Sequence, residues 1–579
     1  MLRRWPWVYT AAMGMLLSSS IRLSCVLALC VAGCSSPKDL TDAGAPIEPD
    51  AGDSDAGTLD AGGFDAGAPV DAGPVNYLII AADPLQASAR RWRDWRADGG
   101  YSVALETIGT VLAGATTPAA AATAVREDVR RHWNARDPSR PFYLLLLGDA
   151  DPIGVNTDTV PPARFLDASS GTNIVTDNLY ADMDGDHMPE IAVGRVPVRS
   201  DADADLVRSK IAASEGTYRV GPWNRRFNIF ASTSGFGEPA DSLIEATLTK
   251  IVEEIPYTFG VSMTYAKQQS PWVYVPELFS DKVYERINEG AVMVTYAGHG
   301  SNNSFADLVW SGSSFPILDT TALSKLGSSP RPPLLTLVAC LTGAFDQGDS
   351  LSERILRSAN GPPAVLSSTE VSHPYANAIF TRELSQALAA RQAPTVGLAF
   401  VEAKRQTLVN DDALRQTIDA QVGLLLDVPT RVALKRSHQY MYTLFGDPAM
   451  RLAWPGGGVV LTVPTTPVTA GTELTVSATF TALAQGQATV TLETRRSAYR
   501  GALVAVPADN SPGRNAAIIA NYATANNPVV VSATTAIAGS ALSVKLAVPA
   551  DLAPGEYVVK LYADDGVRDA AASATITVP

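Results

Sequence analysis

Ala291-Val-Met-Val-Thr-Tyr296 is an unbroken run of apolar and β-branched residues, and it stops in Ala297-Gly-His-Gly-Ser301. Glycines on both sides of a histidine end regular structure and permit a tight turn. The form recurs at Leu334-Leu-Thr-Leu-Val338, which stops in Ala339-Cys-Leu-Thr-Gly343, and at Ala364-Val-Leu-Ser-Ser368. Further back, Asn76-Tyr-Leu-Ile-Ile-Ala-Ala82, Phe142-Tyr-Leu-Leu-Leu-Leu147 and Phe227-Asn-Ile-Phe-Ala-Ser232 are runs of the same kind. Helix-length patterns separate them, among them 85–97, with Trp92 and Trp95, and 241–254. Strands that are apolar throughout are expected where both sheet faces are covered, and their alternation with helices implies βαβ units. Residues 76–453 therefore read as an α/β domain with a mainly parallel sheet and helices on both faces. A division into subdomains 76–220 and 221–453 is compatible with its length. In such sheets ligands sit beyond the carboxyl ends of the strands, so chemistry is sought just after each run.

Two such ends carry reactive groups. His299 follows one strand and Cys340 follows another, 41 positions later. A thiol becomes a nucleophile as the thiolate, and imidazole is the side chain whose titration suits a base for it near neutral pH. Each residue alone is more often a packed cysteine or a satisfied loop histidine. The pairing at two strand ends favours catalysis. Metal-dependent hydrolysis has no motif here: His-Glu-x-x-His, Cys-x-x-Cys, a phosphate loop and a Gly-x-Ser-x-Gly elbow are all missing from the sequence.

Tyr296-Ala-Gly-His-Gly-Ser301, Val338-Ala-Cys-Leu-Thr-Gly343, Leu444-Phe-Gly-Asp-Pro-Ala449 and the block from Asp182 to Arg195 resemble the gingipain-type cysteine peptidases, whose fold is related to caspases. The resemblance implies that His299 is the general base and Cys340 the nucleophile that forms a thioester. It implies an oxyanion site built from the N–H groups of Gly300 and Cys340. The best-known relatives orient the histidine with a glutamate on the loop after the strand that ends here at Ser232. This chain has Ser234 there, with Glu238 the nearest carboxylate, so both are candidates for the third member. Asp241 falls where the arginine-cleaving relatives place the base of the specificity pocket, which implies cleavage after Arg or Lys. The alternative for Asp241 is a first-turn aspartate complementing a helix dipole.

Asp182, Asp184, Asp186 and Glu190 stand at positions 1, 3, 5 and 9 of an acidic loop, the spacing of short calcium loops. His187 replaces the usual glycine at position 6, and Asp177 is a candidate extra ligand. A structural calcium ion, and no catalytic metal, is expected. His132 reads as part of a solvated helix face, His373 as a residue lining the cleft and His438 as structural. From Gly456 onward the composition shifts to Thr, Val, Ala and Gly with period-2 alternation, for example Glu473–Phe480 and Glu556–Tyr562. Residues 456–579 read as an immunoglobulin-like β-sandwich. The gingipain-type enzymes also carry a sandwich after the catalytic domain.

The start of the chain reads as an address. Leu23–Gly33 is a short apolar run after Arg22, too short to span a bilayer, and Val31-Ala-Gly-Cys34 resembles a bacterial lipobox. Residues 1–34 are thus expected to be a lipoprotein signal with Cys34 the lipidated residue. Its loss would also remove Cys25 and Cys30 and leave Cys340 as the one thiol of the mature chain. Residues 35–75 follow as a linker. Within it, 41–74 carries six Asp-Ala-Gly triplets and eight acidic residues with no basic one, the composition of an extended tether. The whole chain has 45 basic and 59 acidic residues, net −14, with no basic cluster, which argues against nucleic acid as a partner. The expectation is an exported monomeric cysteine endopeptidase acting on proteins or peptides, tethered to the outer membrane or cell surface. A catalytically silent surface adhesin or assembly protein, and a transpeptidase using the same dyad, are the alternatives.

Overall fold

The computed structural model describes residues 74–579 except 152–153, 217–219, 234, 236–237 and 508–510, and within the helix Glu238–Glu254 the side chains of 238–241, 243 and 244 are also outside it. The signal with Cys34, almost all of the linker, Ser234 and the side chains of Glu238 and Asp241 therefore lie outside the described residues.

Ten strands make one sheet: β1 (Tyr77–Ala81), β2 (Val103–Thr107), β3 (Tyr143–Leu147), β4 (Ala192–Val196), β5 (Arg226–Ser232), β6 (Gly260–Ala266), β7 (Met293–Ala297), β8 (Leu334–Val338), β9 (Ala364–Ser368) and β10 (Tyr442–Phe445). Their order across the sheet is β2-β1-β3-β4-β10-β9-β8-β7-β5-β6. β1 to β4 are mutually parallel, as are β5 to β9. The halves meet at β10, which pairs antiparallel with β9 and parallel with β4 through Phe445 and Arg195. The sheet is thus mainly parallel, as the apolar runs predict, with one reversal. Every residue of β1, β3, β4, β8 and β9 is buried, so both faces are covered.

Two buried ion networks pin the halves together. Asp447, just past β10, accepts from Trp92 Nε1 at 2.7 Å and pairs with Arg96, which also reaches Glu215. Arg195 of β4 makes two 2.7 Å bonds to Asp177 and donates to the carbonyls of Gly148 and Val160. Asp177 is therefore committed to Arg195 and does not join the acidic loop.

The helices that matter below are α1 (Glu238–Glu254), α2 (Leu351–Arg357), α3 (Pro374–Ser385), α4 (Val428–Met441) and α5 (Pro512–Ala525). α2 starts in a capping box between Ser350 and Glu353. Ser352 in its first turn donates both N–H and Oγ–H to the Thr342 carbonyl, so the loop after β8 is tied to a fixed helix end.

The C-terminal module consists of β11 (Val459–Thr462), β12 (Glu473–Phe480), β13 (Gln485–Thr494), β14 (Val529–Ala538), β15 (Ala541–Ala547), β16 (Gly555–Asp564) and β17 (Asp569–Val578). They form one antiparallel sheet in the order β11-β12-β15-β14-β13-β16-β17 around a single apolar core. The sheet curls until its edges approach: β11 packs near β17, and Val468 N–H bonds Thr577 O at 2.9 Å. In place of the expected two-sheet sandwich, the hydrogen bonds trace a nearly closed barrel-like sheet. Period-2 alternation is the same in both arrangements, so the pattern alone did not separate them.

α5, inserted between β13 and β14, was not anticipated and is the bridge to the large domain. Just beyond it, Asn526 accepts from Met263 N–H at 2.7 Å and donates to Met263 O at 3.0 Å, pairing with the edge strand β6 as another strand would. Tyr522 Oη lies 2.8 Å from Thr264 Oγ1 and accepts from Arg286.

Candidate active site

β7 and β8 are adjacent and in register, Tyr296 opposite Leu337 and Ala297 opposite Val338. His299 and Cys340 each lie two residues beyond that last pair. They leave the same edge of the sheet at the same level, on neighbouring loops.

The histidine loop is built by close approach. A Cβ on Gly298 would strike the Ser232 hydroxyl and come within 2.8 Å of Tyr296 Oη. A Cβ on Gly300 would lie 2.8 Å from Thr342 Cγ2 and 3.1 Å from the Cys340 carbonyl oxygen. Glycine at 300 is what lets the two loops touch. The His299 carbonyl is gripped by Tyr296 Oη–H at 2.8 Å and by Ala306 N–H at 3.0 Å, and the Tyr296 ring stacks on Phe305 at 3.7 Å. Burial pushes the Tyr296 hydroxyl well above the usual tyrosine range, which keeps it a donor. The His299 side chain is exposed, and a Cβ on Gly235, in the loop after β5, would sit 3.7 Å from its Nε2. That loop is the one expected to supply the third member.

Cys340 is half-buried and is the free cysteine of the described residues. The next residue, Leu341, has φ 59°, a left-handed conformation that costs a leucine about 1 kcal/mol. The bend is held by Leu341 N–H on Glu370 O at 3.3 Å and Gly343 N–H on Ser368 O at 2.9 Å. The sulfur accepts Ser372 N–H at 3.4 Å. Among the described residues, neither Gly300 N–H nor Cys340 N–H meets an acceptor.

The remaining histidines are structural here. His373 caps α3, its Nδ1 accepting Tyr375 N–H at 3.1 Å, so it shapes the loop beside Cys340. His438, in the last turn of α4, accepts His373 N–H on Nε2 at 3.0 Å, which places its proton on Nδ1, 2.7 Å from Leu434 O. Burial, and then His373, lower its pKa to about 3. His132 is not the solvated residue expected: it is half-buried, 3.3 Å from Glu106 and 3.9 Å from Asp128.

In the acidic loop, carboxylate oxygens of Asp182, Asp184 and Glu190 lie within 4.8 Å of one another, while Asp186 is not in this group and instead accepts Met188 N–H. His187 has φ 73° and so adopts the turn that glycine normally supplies. Its Nδ1 lies 2.7 Å from Tyr440 Oη, which also bonds Asp182 at 3.2 Å. Burial, with the charges of Asp184, Asp182 and Asp186, raises the Glu190 carboxyl to about 7.

A cavity of about 380 Å³ opens elsewhere, at residues 327–332 and 359–361 before β8 and β9, lined also by Lys210 and Trp223. Lys210, lowered to about 7 by burial, donates to the carbonyls of Leu356, Ser358 and Gly361. This is the amino end of the strands, away from the thiol and imidazole.

Sequence reasoning missed Ser372, Leu341 and Tyr296 as parts of this site. Ser372 had a signal, since it follows the run 364–368 as Cys340 follows 334–338.

The profile of peptidase family C25 matches residues 71–453. Lys-gingipain of Porphyromonas gingivalis is 22% identical over 278 residues, 47% of this chain and 14% of the relative. Gingipain R2 of the same organism is 22% identical over 275 residues, 46% of this chain and 32% of the relative. An uncharacterized protein of Archaeoglobus fulgidus is 27% identical over 218 residues, 35% of this chain and 48% of that one. The chain thus spans less than half the length of each of these relatives. The crystal structure of the Arg-specific cysteine proteinase gingipain R aligns with a TM-score of 0.49 at 17% identity, over 88% of this chain and 100% of that one. A profile that runs through both strand ends and over well over half of the sequence assigns the chain: it belongs to peptidase family C25.

Proposed function

We propose that the protein is a cysteine endopeptidase. The observation that carries this reading is the in-register ending of β7 and β8, which sets His299 and Cys340 on touching loops. His299 takes the thiol proton, and the Cys340 thiolate adds to the scissile carbonyl. The oxyanion so formed is met by Gly300 N–H and Cys340 N–H, two donors without a protein acceptor among the described residues. Collapse breaks the C–N bond, His299 protonates the leaving amine, and a thioester remains. Water, deprotonated by His299, then releases the carboxylate and restores the thiol.

Cleavage after Arg or Lys is proposed on Asp241, orientation of His299 on Ser234 or Glu238, and calcium binding on Asp182, Asp184 and Glu190. Export and anchoring at the outer membrane through Cys34 are proposed on the signal sequence alone. The test is an assay of residues 75–579, with calcium and a reductant, on peptides that differ only before the scissile bond. Cleavage is expected after Arg or Lys, abolished in Cys340→Ala and reduced about 10²–10⁴-fold in His299→Ala. Cleavage elsewhere, lost in Cys340→Ala, discards Asp241 and keeps the mechanism. No cleavage under any condition, with an unreactive thiol, supports the silent surface protein instead.

A further inference from the structure

The Ser372 N–H on the Cys340 sulfur belongs to the loop between β9 and α3. A backbone donor stabilises a thiolate only if the loop that carries it is fixed. Contacts on both sides fix this one. Asn377, in the first turn of α3, donates from Nδ2 to Ser372 Oγ at 2.9 Å. Its Oδ1 accepts the hydroxyl of Tyr442, the first residue of β10, at 2.7 Å. Tyr442 is wholly buried and stacked on Phe380 at 4.5 Å, so the chain of bonds ends in the core. Beyond Ser372, His373 N–H is held by His438. With Asn377 donating to it, the Ser372 hydroxyl keeps its own proton, 3.9 Å from the sulfur.

We propose that Asn377 is a positioning residue for the nucleophile: through Ser372 it keeps a backbone N–H on the Cys340 sulfur and so favours thiolate over thiol. The inference rests on the peptidase reading of Cys340, but its readout is the sulfur itself. Titratable groups approach the sulfur from every side: His299 and Tyr296 from β7 and its loop, Tyr442 from β10, and Glu370 and His373 from the loop after β9. The two tyrosines stay protonated because burial raises both hydroxyls. None of these is altered in Asn377→Ala.

The experiment is iodoacetamide alkylation of the folded chain across about pH 5–10, followed on the Cys340 peptide by mass spectrometry. The wild-type midpoint is expected below the ~8.5 of an ordinary thiol. Asn377→Ala is expected to move it up by roughly one unit, a tenfold slower reaction on the acid limb, with the alkaline plateau unchanged. Tyr442→Phe, which removes one hydroxyl from a packed ring, is expected to shift it in the same direction and guards against a misfolded Asn377 variant. A low wild-type midpoint that neither variant moves overturns the inference and leaves the peptidase reading standing. An ordinary midpoint in the wild type as well overturns both.

Discussion

His438 shows what one buried side chain contributes. Its imidazole is neutral in the fold, donating to Leu434 O and accepting from His373 N–H, with a pKa lowered to about 3 by burial and then by His373. Unfolded, it titrates near 6.5. The unfolded chain therefore binds the extra proton as pH falls below ~6.5, and stability is lost down to about pH 3 at up to ~1.4 kcal/mol per pH unit. His438→Gln, which keeps an acceptor for His373 N–H, is expected to flatten that part of the melting-temperature profile. An identical acid slope in wild type and variant refutes the assignment. The residue scale is also where sequence and structure part company. His299 and Cys340 were legible because reactive side chains announce themselves at strand ends. Ser372 was not, because its contribution is a backbone N–H that any residue but proline supplies. Asp177 misled for the opposite reason: its carboxylate is visible, but its buried partner Arg195, 18 residues on, is set by topology.

At the scale of one element, the 182–190 loop concentrates negative charge. Glu190 is raised to about 7, so without a cation its proton is held more tightly folded than unfolded. Sign follows directly: that contribution is full below its ordinary ~4.5 and is lost as pH rises through about 7. A bound calcium ion would cancel the repulsion. Calcium is therefore expected to raise the melting temperature more near pH 8 than near pH 5. In Asp184→Asn the calcium increment should vanish while the calcium-free protein melts higher at alkaline pH. Equal melting with calcium and with chelator across that range rules the site out. The spacing of this loop was readable because a calcium loop is local in sequence. The closure of β11–β17 was not, because it depends on where distant edges meet.

For the whole molecule, the C-terminal module acts as a clamp. Arg496 donates to the carbonyls of Val252, Ile255, Pro256 and Phe259, completing the last turn of α1 and the strand entry that follows it. α1 begins at Glu238, beside the loop that meets His299. Arg496→Ala is expected to lower the melting temperature by several degrees and to speed amide exchange along α1, with the β1–β4 half unchanged. Uniform loosening, or none, contradicts the clamp.

The end of α4 carries two duties within three residues: His438 props the segment behind the nucleophile, and Tyr440 holds Asp182 and His187. A mutation that repositions this turn cannot be neutral for one region and harmful for the other. Sequence drift here is therefore confined, and a compensating change on either side must satisfy both. Any engineering of metal dependence through Tyr440 will be paid for at Cys340.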